Sequence, residues 1–141
     1  MIDRVDVTVD AAALLRRLRA AYGPLLFHQS GGCCDGSAPM CYPASDFRIG
    51  ENDVYLGEVA GVPFYIGGLQ YEYWQHTHLT VDVVPGRGGG FSVEAPEGLR
   101  FVTRSRLFSD AEWASLEAEG PPPRGPRPAG AASEVAGQGQ P

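Results

Sequence analysis

A compact, mostly-β α+β domain is the fold class this sequence predicts, and three observations predict it. Short stretches of alternating apolar and polar residues recur at close spacing, separated by Gly- and Pro-containing turns. Helical periodicity is confined to two segments, one near each end of the folded part. Strands and helices do not alternate as a βαβ repeat would require.

Taken in order, Val5 to Val9 (VDVTV) alternates and suits a short strand or the lead into a helix. Ala11 to Tyr22 carries Leu14, Leu15, Leu18 and Tyr22 on one face, with Asp10 placed to cap it and Gly23-Pro24 to stop it. Arg16, Arg17 and Arg19 fall largely off that face and read as a solvated surface. Leu25 to Phe27 is a short apolar strand. Asp53 to Val59 and Pro63 to Ile66 form two more around a turn at Gly61. Leu69 to Gln75 is expected to make a helical turn, and His78 to Val84 a strand. Pro85 to Gly90 (PGRGGG) is a turn, Phe91 to Glu94 begins another strand, Ala95 to Gly98 turns again, and Leu99 to Thr103 is the last strand. Ser109 to Ala118 closes the folded part as a helix. Ser109 and Glu112 have capping-box spacing, and Phe108 and Trp113 stand at the staple positions.

From Gly120 to Pro141 the composition changes to PPPRGPRPAGAASEVAGQGQP after a glycine, with no aromatic residue. Such a stretch buries too little apolar surface to offset its ordering entropy. The expected organisation is one globular domain over 1–119 and a disordered Pro/Gly-rich tail over 120–141. About 120 residues suffice for an ordinary core without disulfide staples.

The net charge of −6 argues against nucleic-acid binding. Every basic residue is arginine, and without lysine there is no Schiff-base chemistry, pyridoxal phosphate attachment or Gly-Lys-Ser/Thr phosphate loop. No apolar run approaches membrane-spanning length, so no membrane association is expected. The N-terminus MIDRVDVTVD lacks a basic segment and an apolar h-region, which points to a reducing cytoplasm. Clustered thiols there are more readily ligands or reactive groups than disulfides.

All three cysteines lie in Phe27–Pro43, FHQSGGCCDGSAPMCYP. Cys33, Cys34, Cys41 and His28 supply four donors within fourteen residues. Thiolate and imidazole suit zinc, iron or an iron–sulfur cluster. The spacing contains no C-x-x-C pair, so thiol redox chemistry between Cys33 or Cys34 and Cys41, and simple packing of small side chains, stand beside the metal reading. On a strand His76 and His78 share a face, so either could complete a site, with His76 the first candidate. The PGRGGG turn lacks the following helix that a phosphate site needs, leaving Arg87 solvated at a hairpin tip. Tyr65, Tyr71, Tyr73 and Trp74 read as core or as a ligand- or partner-facing surface. Asp46, Asp53, Glu58 and Asp82 are scattered and assign no acid or base.

The stretches FHQSGGCCDGSAPMCYP, PFYIG, YEYW-HT and DVVPGRGGGFSVEAPEG together closely resemble domain of unknown function family 779, over about Ile2 to Trp113. Members of that family are typically encoded beside NAD-dependent aldehyde dehydrogenases, so the resemblance implies an accessory role in aldehyde metabolism. The order helix, Gly31-Gly32-Cys33 and Gly90-Phe91 is also distantly similar to the HesB/IscA-like A-type iron–sulfur carriers. That similarity implies a bent-sheet pseudo-barrel with an N-terminal helix and a short C-terminal helix. The carriers' later Cys-Gly-Cys pair is absent here, so only Cys33 is carried over as a ligand.

The expectation is therefore a cytoplasmic accessory protein of an aldehyde dehydrogenase, with no enzymatic activity assigned, binding a metal ion or iron–sulfur cluster through Cys33, Cys34, Cys41, His28 and His76. The sequence allows a homo-oligomer. A thiol-dependent enzyme acting on an aldehyde or thiol adduct, and a metal-free interaction module, are the alternatives.

Overall fold

The computed structural model describes residues 2–29, 38–86 and 92–126. The protein is an α+β molecule, mostly sheet. Its described elements run β1 (Val5–Val7), α1 (Val9–Tyr22), β2 (Leu25–Gln29), β3 (Met40–Pro43), β4 (Val54–Val59), β5 (Val62–Ile66), α2 (Gly68–Trp74), β6 (Thr77–Pro85), β7 (Leu99–Leu107) and α3 (Asp110–Glu119). The strands form a three-stranded sheet, β1-β6-β7, and a four-stranded sheet, β3-β2-β5-β4. Each is mixed: β1 runs parallel to β6 and β2 parallel to β5, while the other neighbours are antiparallel. The sheets approach each other at β1 and β4. Gly57 (φ +145°) sits so near Val5 that a Cβ there would lie 3.2 Å from Val5 Cγ1.

Helix α1 buries Ala11, Leu14, Leu15 and Leu18 in a core shared with Phe27, Phe64, Ile66, Leu79, Val81 and Phe101. Phe27 anchors it, edge-on to Phe101 at 5.0 Å and tilted against Phe64 at 5.5 Å. The expected cap and face both need correcting. Thr8, not Asp10, is the N-cap: its Oγ1 accepts the Ala11 N–H at 3.2 Å and donates to Asp82 Oδ1 at 3.0 Å. The Thr8 N–H also donates to the Val81 carbonyl, so the chain leaves β1 and enters the helix two residues earlier than the pattern predicts. Tyr22, expected on the buried face, is 49 % exposed.

Three further expectations are corrected. The described strands close no barrel, and the sheets remain separate in their hydrogen bonding. Ser92–Glu94 is not a strand. Its backbone turns into a short 3-10 segment, Ala95–Glu97, that leads to β7. Finally, Gly120–Pro126, assigned by composition to the tail, lies along β4. Tyr55 N–H donates to the Pro123 carbonyl and Gly125 N–H to the Asp53 carbonyl, both at 2.9 Å, around an antiparallel bridge between Val54 and Arg124. The glycine-rich turn 87–90, Cys33 and Cys34, and the tail beyond Pro126 lie outside the described residues. No described helix is long and apolar enough to cross a membrane.

A candidate site at the end of strand β2

Strand β2 is buried along its whole length, because both of its faces are covered. Leu25 and Phe27 face the main core, whereas Leu26 and His28 face the opposite side. Register with β3 and β5 puts Met40 and Tyr65 beside His28. That second face is aromatic. Phe47 lies 4.8 Å from the His28 ring and stacks on Tyr42 at 4.6 Å, and Tyr55 packs on Tyr65 at 5.6 Å.

His28 has an acidic partner in this setting. Its Nε2 lies 2.9 Å from Asp53 Oδ1, with the imidazole side chain 6 % and the carboxylate 17 % exposed. A carboxylate only accepts, so Nε2 carries the proton of this hydrogen bond. The Gly50–Asp53 turn explains the aim of Asp53. Its Oδ2 accepts the Gly50 N–H at 2.7 Å, while its own N–H donates to the Gly50 carbonyl at 3.1 Å. Both carboxylate oxygens are thus engaged, and the imidazole is held in one tautomer and one orientation. A carboxylate that orients an imidazole in this way is the usual companion of a ligating or proton-exchanging histidine.

Cys41 lies on the other side of the sheet. It is opposite Phe27, one position out of phase with His28, and has no exposed surface. Burial pushes its thiol pKa strongly up, and the nearby Glu94 adds to this, so the thiolate is disfavoured. The Cys41 N–H donates to Ser92 Oγ at 2.9 Å and its carbonyl accepts the Val93 N–H at 2.9 Å. Ser92 Oγ–H in turn donates to Glu94 Oε1, and Glu94 Oε2 accepts the Phe101 N–H at 3.1 Å. This buried carboxylate ties the 92–94 turn to the start of β7.

His76 and His78 do not share one strand face. His76 precedes β6, is exposed, and packs its ring 4.2 Å from Trp113. His78 is buried, with its ring 6.1 Å from Phe108. Burial and the Arg106 guanidinium across the β6–β7 ladder hold its pKa below the ordinary imidazole value, partly offset by Asp6, Glu112 and Asp3. Among the described residues no three His, Cys, Asp or Glu side chains come together as a metal site. Cys41 lies on the opposite sheet face and His76 packs on Trp113, so among the described residues neither groups with His28 and Asp53.

Residues 14–107 match the family described as Domain of unknown function (DUF779). The chain belongs to this family. No curated protein and no solved structure matches it. The matched stretch of the DUF779 domain takes in His28, Cys41, Asp53, Glu94 and His78, while Arg124 and Gly125 lie beyond it.

Three members of this arrangement escaped the sequence reading. Asp53 is 25 positions from His28, and only the β2-β5-β4 order brings it near. Its one local signal is the Gly50-Glu51-Asn52-Asp53 turn that opens β4. Ser92 and Glu94 meet Cys41 across about fifty residues of chain, with no signal in spacing.

Proposed function

We propose that this DUF779 protein is a small cytoplasmic accessory protein of an NAD-dependent aldehyde dehydrogenase. It would bind zinc, iron or an iron–sulfur centre at the end of β2, with Cys33 and Cys34, which follow β2 in sequence, as ligands. One observation carries the reading: His28, the last histidine before those thiols, is buried and oriented by the Asp53 carboxylate. An imidazole held by a carboxylate through one nitrogen is the usual state of a metal-ligating histidine. The donor chemistry fits, with His28 as an imidazole ligand and Cys33 and Cys34 as soft ligands. Cys41 and His76 are left out, for the reasons of burial and position given above. A bound metal would supply a Lewis-acidic or redox-active centre. The chain's own part is to fix the imidazole and shield it beneath Phe47 and Tyr42.

A partner surface accompanies this reading. Leu69 and Tyr73 lie one helical turn apart on α2, 76 % and 80 % exposed, and Leu107 at the end of β7 is 75 % exposed. Tyr73 and Leu107 border one hollow of about 290 Å³. Exposed aromatic and aliphatic side chains grouped this way suit protein docking, and the dehydrogenase is the partner that the family resemblance implies. If the metal-free interaction module were the whole function, only this surface would matter.

Zinc titration against a chromophoric chelator under reducing conditions separates the two. Asp53→Asn should weaken zinc binding roughly 10–100-fold, as loss of an orienting partner does, and His28→Ala should weaken it further. Equal affinity in wild type and both variants contradicts the metal reading. Capture of the dehydrogenase that Tyr73→Ser abolishes, yet His28→Ala leaves intact, favours the interaction module.

A further inference from the structure

Four segments meet at the end of β2: Gln29, Asn52–Asp53, Gly67–Gly68 and Arg124–Gly125. The Gly67 N–H donates to the Gln29 carbonyl at 3.1 Å, joining the start of α2 to the residue after His28. Arg124 Nη1 donates to the Asn52 carbonyl at 3.2 Å, and its guanidinium lies 5.9 Å from the Tyr71 ring centroid, within cation–π range. Gly125, buried and at φ +85°, donates its N–H to the Asp53 carbonyl. Gly68 completes the fit. A Cβ there would lie 2.5 Å from the Asn52 carbonyl oxygen and 3.0 Å from Arg124 Nη1.

Two consecutive carbonyls, those of Asn52 and Asp53, are thus held by the chain beyond α3. The backbone of Asp53 sets the direction of its Cα–Cβ bond, and a hydrogen bond weakens steeply with small losses of length and alignment. We propose that Arg124 and Gly125 are positioning residues for the His28–Asp53 pair. The post-α3 segment is then a working part of the site. The proposal rests on the reading that this pair serves the site, and it adds a contribution from outside the matched family region.

The test follows the Nε2-bound proton of His28 by 1H–15N NMR on the full chain, with no metal present. In the wild type a single Nε2–H tautomer and slow exchange with water are expected. Arg124→Ala should speed that exchange roughly tenfold, the effect of weakening one hydrogen bond to a charged group. Gly68→Ala, which pushes on the same carbonyl from α2, should act alike, and Arg124→Lys, which keeps a cationic donor, should restore slow exchange. Amides of β6 and β7, in the other sheet, should keep wild-type protection in every variant. An unchanged His28 proton in both Arg124→Ala and Gly68→Ala overturns the proposal, as does an equal loss of protection in β6 and β7. A change at His28 in a protein that binds no zinc would remove the metal reading and leave the positioning role standing.

Discussion

One position along β2–β3 separates a side chain engaged with an acid from a side chain sealed in the core. His28 and Cys41 are both named by the sequence as ligands, but strand alternation sends them to opposite faces. With no exposed surface and its ionisation opposed by burial and Glu94, Cys41 should resist alkylation at neutral pH in the folded protein. Iodoacetamide labelling of the Cys33→Ser/Cys34→Ser variant should therefore modify no residue until denaturant is added. Labelling at the rate of a free thiol would contradict this placement. His78 gives a second test at this scale. Its folded value is lowered, so the unfolded chain binds more protons below about 6.5. Stability should then rise with pH through the window between the lowered value and about 6.5, and level off above it. Urea midpoints across that window should show the rise in the wild type and a smaller one in His78→Gln. At this scale the sequence exposed donor types but not their partners. Asp53 and Glu94 acquire meaning only through strand order, which local patterns do not encode.

Elements were far more legible than sites. Alternation in Asp53–Val59 and His78–Val84 locates β4 and β6 within a residue or two, and the capping box that starts α3 is realised. Ser109 Oγ accepts the Glu112 N–H at 3.1 Å, Glu112 Oε1 accepts the Ser109 N–H at 2.9 Å, and Arg106 clasps the same carboxylate at 2.8 and 3.0 Å. Arg106 and the Ser109 N–H lower the Glu112 pKa to about 2. A lowered carboxylate favours folding above its unfolded value, and this contribution fades as pH falls toward 2. Ser109→Ala should cost about 1 kcal/mol, read as a shift of the urea midpoint. Where local pattern failed, a side-chain bond to the backbone had taken over. Ser92–Glu94 has strand-like residues, yet Glu94 turns inward to the Phe101 N–H and the chain bends there.

The described residues form two mixed sheets meeting at β1 and β4, with Gly57 at the contact. Gly57→Ala combines a positive φ with a 3.2 Å approach to Val5, and should cost about 1–3 kcal/mol in chemical denaturation. Composition could not reveal that Pro121–Pro126 docks on β4, because the bonds concerned run through backbone groups and need no apolar side chain. The same limit hid the convergence of β2, β4, α2 and the post-α3 segment at the end of β2. Metal binding at that convergence is the central claim, and metal analysis of the anaerobically purified protein, with its visible spectrum, tests it most directly. The expected result is about one metal ion or cluster per chain, lost in the Cys33→Ser/Cys34→Ser variant and reduced in His28→Ala. Metal well below stoichiometry, unchanged by those substitutions, would contradict it.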